Sequence, residues 1–100
     1  MDKNKYPNDL LLYRTKRGLS RKQVCVFLGL KHHGSISRYE RGETQPSLVR
    51  ALRLETLYRT PVAFLYGPLY QRIKNEVRAE EEKNRVQQAA SNESEEKPAA

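Results

Sequence analysis

The chain has a single cysteine, Cys25, and only two histidines, the adjacent His32 and His33. One thiol excludes an internal disulfide framework, leaves a thiol-based metal site short of ligands and fits a reducing compartment. Neighbouring histidines cannot both turn toward one metal from a helix, so neither a metal nor a cofactor is expected. No apolar run approaches the roughly 20 residues needed to cross a bilayer. The opening MDKNKYPNDL is too polar for a signal-peptide core, and a cytoplasmic protein with no membrane partner is expected. Internal repeats and useful strand alternation are also missing. The folded part offers no paired carboxylates and no recognisable acid, base or nucleophile constellation, which argues against an enzyme.

What the chain does have is positive charge, unevenly placed. Its 100 residues suit one domain with one modest core. The formal charge is +7 with a pI near 9.8, which points to nucleic acid, an anionic surface or an acidic partner. Residues 1–74 hold fifteen Lys or Arg against five Asp or Glu, and residues 75–100 hold four against seven. The first part is therefore +10 and the second −3, so the basic character belongs to the part expected to fold.

Periodicity and end signals predict helices throughout. Asn8 or Asp9 can cap a first helix over Leu10 to Arg14, ending at Gly18. Ser20 and Gln23 have the spacing of a capping box for a second helix, in which Val24, Phe27 and Leu28 share an inward face beside Cys25 and Gly29 is the stop. A third helix is predicted over about residues 34–41, with Ile36 and Tyr39 inward and Gly42 closing it. Ser47 caps a fourth, whose Leu48, Ala51, Leu52, Leu54, Leu57 and Tyr58 make a wide apolar face. Thr60 and Pro61 read as cap and first position of a short fifth helix, Val62 to Tyr66, stopped by Gly67. Pro68 opens a sixth, with Leu69, Ile73 and Val77 at four-residue spacing. Fraying is predicted from Glu80 and disorder from Ala89, where the composition buries too little to offset ordering.

Two helices joined by a short glycine-containing turn, the second presenting small polar and basic side chains, form the arrangement that sets a helix in the major groove. Here the segment is Gly29 to Gly42, GLKHHGSISRYERG. Cys25 supplies a small residue at the helix crossing, Gly29 the turn, and Ile36 with Tyr39 the narrow buried stripe. Together with RTKRGLS at the end of helix one, VCVFLG, ISRYERG and the PSL that opens helix four, this stretch resembles the lambda-repressor-like, XRE-type helix-turn-helix regulators over about residues 9–66. The resemblance implies an all-α fold, a five-helix DNA-binding domain, here with a further C-terminal helix and a disordered acidic tail. The expected boundaries are a flexible N-terminus over 1–8, the domain over 9–78 and a fraying, then disordered, tail over 79–100. One departure is visible: Gly29 to Ile36 spans seven positions, one more than is usual in the family.

The expected function is sequence-specific recognition of double-stranded DNA in transcription regulation. Arg38 is the leading base reader, because a guanidinium can bond guanine O6 and N7 together, with Ser35, Ser37 and His33 beside it. The resemblance implies a phosphate clasp from Arg21, Arg41, Thr44 and Gln45, to which the basic Lys22 and Lys31 add. It also implies that Arg14 pairs with Glu40 behind the recognition helix. Leu69, Ile73 and Val77 either pack on the domain or join two protomers. The alternative reading is a protein-interaction module, such as an antitoxin, whose acidic tail folds on a basic partner.

Overall fold

The computed structural model describes residues 4–92, and over these the chain is helical with no strand. Six helices follow in order: α1 Leu10–Lys16, α2 Arg21–Leu28, α3 Gly34–Glu40, α4 Leu48–Tyr58, α5 Val62–Leu65 and α6 Gly67–Asn92. Contacts divide the chain after Tyr70 into two units. The first holds the core, built from Leu10, Val24, Cys25, Leu28, Ile36, Tyr39, Leu54, Tyr58, Leu65 and Tyr66.

The end signals work largely as the residues dictate. Ser20 Oγ accepts from the Gln23 amide at 3.1 Å while the Gln23 side chain accepts from the Ser20 amide at 2.8 Å, a complete capping box. Ser47 Oγ accepts from the Arg50 amide in the same manner. The fifth helix starts differently from expectation. Pro61 is its N-cap rather than its first residue, the Thr60 hydroxyl donates to the Tyr58 carbonyl, and the Val62 amide is satisfied by Glu55 Oε1 at 3.0 Å. A carboxylate from the preceding helix thus replaces the predicted threonine cap. Gly67 does not stop helix five; it is the first residue of α6.

Two predicted apolar faces are narrower than expected. Val24, Cys25 and Leu28 bury, but Phe27 stays 53% exposed. On α4, Leu54 and Tyr58 bury while Leu48 and Leu52 are exposed, at 75% and 48%. Helical spacing sets which residues share a side, but the width of the covered stripe is set by what packs on it. The sixth helix continues past Glu80 to Asn92. That stretch is rich in Glu, Lys, Arg, Gln and Ala, all favourable in helices, and carries Glu80–Lys83 and Glu82–Arg85 pairs at i,i+3 spacing. The disorder predicted from Ala89 falls largely on residues 93–100, which lie outside the described residues.

Residues 4–9 bond to the rest of the domain. The Tyr6 amide donates to the Gly42 carbonyl at 3.0 Å and the Asp9 amide to the Leu65 carbonyl at 2.8 Å. Asn8 Nδ2 donates to both the Tyr6 and Tyr39 carbonyls at 2.8 Å, and its Oδ1 accepts from the Leu10 amide. Asn8 therefore opens α1 and fastens the chain to the end of α3.

In the core, the Tyr66 hydroxyl is buried with no hydrogen-bond partner among the described residues. Burial, then the neighbouring Tyr39 and Tyr58, push its ionisation well above the usual phenol range. Because an unsatisfied buried hydroxyl costs about 1–3 kcal/mol, Tyr66→Phe should raise stability by about 1 kcal/mol in urea unfolding. A loss of stability would mean that the hydroxyl is bonded after all.

Candidate nucleic-acid interface

The interface is built on α2, the turn after it and α3. Gly29 sits in the left-handed region at φ 69°, where a side chain is costly, and the Leu30 amide folds back to the Cys25 carbonyl at 3.0 Å. Leu30 packs against the core and sends the chain through Lys31, His32 and His33, all exposed. The His32 and His33 carbonyls accept from the Ser35 and Ile36 amides. Thus the pair contributes backbone to the start of α3 while the imidazoles stay outside.

On the seven-residue α3, Ile36 and Tyr39 are buried, at 2% and 7% exposed. Arg38 is exposed and has no carboxylate partner among the described residues; Ser35 and Ser37 are half-buried beside it. From Arg21 to Tyr39 the sequence contains no Asp or Glu. The first acidic residue, Glu40, faces inward with its side chain only 3% exposed. It accepts from Arg14 Nε at 2.5 Å and from Arg21 Nε at 3.1 Å, and Arg14 also donates to the Leu19 carbonyl. The outer face of the helix pair is therefore left with positive charge, its one carboxylate being used behind it.

Other expected residues are placed as follows. Lys22, Lys31, Thr44 and Gln45 are exposed. Arg21 is exposed as well, but its Nε is occupied by Glu40, a second role that the sequence reading missed. Arg41 is held by Glu43 at 2.7 and 3.3 Å, and that hydrogen bond, with the carboxylate's charge, raises the guanidinium further above its ordinary range. Cys25 is buried, which pushes its thiol up. Gly42 closes α3 at φ 74°, and the Glu43 amide returns to the Arg38 carbonyl at 2.9 Å.

Among the described residues no group of three or more His, Cys, Asp or Glu could hold a metal ion, and no helix is long and apolar enough to cross a membrane. A helix-turn-helix family model matches residues 10–65, more than half of the chain, and the chain belongs to that family, the DNA-binding regulators of the XRE, lambda-repressor-like type. A search of curated proteins finds no match.

Proposed function

We propose that the protein is a sequence-specific regulator of transcription that sets α3 in the major groove of duplex DNA. The observation that carries this reading is the outer face of the helix pair, free of acidic residues from Arg21 to Tyr39 and bearing Arg38, which has no carboxylate partner among the described residues. Arg38 reads a guanine edge, with Ser35, Ser37 and His33 flanking it. Lys22, Lys31, Thr44 and Gln45 contact phosphates. Arg21 contributes while bound to Glu40, and Arg41 joins the clasp by exchanging Glu43 for a phosphate oxygen.

A homodimer through α6 is part of the proposal. Ile73 and Val77 are exposed one turn apart, at 44% and 50%, which supports their role in pairing; Leu69 instead packs on the core. Two protomers would place their recognition helices about 34 Å apart. The antitoxin reading rests on the acidic tail, residues 80–100, of which residues 93–100 lie outside the described residues.

Selection from random duplexes tests both points. It should enrich a palindrome with half-sites one helical turn apart. On the enriched site, Arg38→Ala should cost about 1–3 kcal/mol of discrimination, with a smaller loss on random duplex. Equal losses on the two would remove the base-reading role, and no enrichment at all would favour the interaction module.

A further inference from the structure

Away from the residues assigned to DNA, α2 and α4 enclose a groove of about 600 Å³. Its floor is apolar, with Phe27 on α2 and Val49, Leu52 and Leu57 on and beside the outer side of α4. Phe27, Val49 and Leu52 are 53%, 61% and 48% exposed. Its rim carries Arg17, Arg53 and Arg59. A second depression shares Val49 and Arg53 and extends the surface to Val26 and Arg50. Apolar side chains exposed side by side and bordered by charge have the character of an interaction surface.

None of the three rim arginines is neutralised. Arg17 donates to the Leu57 carbonyl at 3.4 Å and Arg53 to the Phe27 carbonyl at 3.3 Å; no carboxylate pairs with Arg17, Arg53 or Arg59 among the described residues. Arg59 is more telling still. It occupies the left-handed region at φ 55°, and is the only non-glycine residue with positive φ among those described. It ends α4, a place where glycine would hold the backbone at lower cost, and the side chain it puts there borders the groove.

We propose that this groove docks an acidic, amphipathic helix of a partner protein, its apolar stripe on Phe27, Val49 and Leu52 and its carboxylates on the arginine rim. Charge and polarity together select this occupant. Nucleic acid would satisfy the arginines but leave the floor uncovered. A second copy meeting the same groove symmetrically would bring each rim against an equally positive one, and like charges across an interface are disfavoured. A helix with apolar residues three and four apart, flanked by Asp or Glu, satisfies floor and rim at once. The eleven residues of α4 offer about 16 Å of length, enough for a partner helix of roughly three turns.

The test is selection of a displayed library of random 16-residue peptides on the full chain, with excess nonspecific duplex present to occupy the DNA-binding face. Enriched peptides should combine Asp or Glu with an i,i+3/i+4 apolar stripe. Their affinity, read by fluorescence anisotropy, should fall at least tenfold in Phe27→Ser and in Arg53→Glu. Leu52→Ser, on the other helix, should repeat the loss, and all three sites are at the surface, so thermal unfolding should move little. Peptides whose acidic residues are changed to Lys should recover binding to Arg53→Glu. Enrichment of basic or purely apolar peptides, or binding indifferent to all three substitutions, overturns the proposal. So does concentration-dependent self-association abolished by Phe27→Ser, which would assign the groove to a second copy.

Discussion

Glu40→Ala should lower the stability of the domain by about 3–5 kcal/mol, the usual effect of removing one partner from a buried ion pair. The side chains of Arg14 and Glu40 are 12% and 3% exposed, so truncating the acid leaves Arg14 charged and nearly enclosed. Arg14 keeps only its bond to the Leu19 carbonyl. Arg21 is 44% exposed and can return to water, so little of the loss belongs to it. Urea unfolding measures the effect, and a loss below about 1 kcal/mol would show that the pair does not brace α3. The double change Arg14→Met with Glu40→Leu separates the two sources of instability. Buried pairs replaced by apolar groups of similar volume are often neutral, so the double variant should regain much of what Glu40→Ala loses.

Gly42→Ala carries the second large effect, expected at about 2–5 kcal/mol. Holding an alanine in the left-handed region at φ 74° costs roughly 1–2 kcal/mol. The new methyl would also stand 2.9 Å from the Tyr6 carbonyl oxygen, closer than real Cβ atoms come, and would overlap the Asn4 side chain. Relief requires moving the segment whose Tyr6 amide bonds the Gly42 carbonyl, at a cost like that of overpacking a core, about 1–3 kcal/mol. Gly18→Ala is the control. Gly18 has a similar φ of 68° with nothing within 4 Å of the added methyl, so it should lose only the backbone share. Equal losses at the two positions would mean that the contact with Tyr6 is unimportant.

Local chemistry explains what was legible beforehand. The Ser20–Gln23 box, the Ser47 cap and the glycine after α2 each depend on residues a few positions apart, so sequence carries the whole signal. The narrow Ile36 and Tyr39 stripe was legible for the same reason, and Arg14 with Glu40 came through the family resemblance. Much of what stayed hidden depends on residues far apart in the chain. Asn8 satisfies a carbonyl 31 positions away, and its only local trace is an asparagine just ahead of a helix. The hold of Glu40 on Arg21 spans 19 positions and was hidden for the same reason, while the Glu55 cap on Val62, seven positions apart, and the positive φ of Arg59 follow no residue pattern that announces them. Phe27 and Leu52 were assigned to the interior because periodicity gives direction without saying where the neighbouring helix stops.

The fastening of residues 4–9 to Gly42, Tyr39 and Leu65 also sets the order in which the protein can become competent during synthesis. The Asp9 amide closes on the Leu65 carbonyl, so the first helix has no complete N-terminal anchor until that residue has left the ribosome. The recognition helix is translated well before that, when the part of the core supplied by Leu54, Tyr58, Leu65 and Tyr66 is still missing. Such long-range closures come late in folding. A nascent chain would thus expose its basic helix pair before it could hold that helix in a reading geometry, and a transcript interrupted ahead of Leu65 would yield a product that is charged like a regulator without being shaped like one.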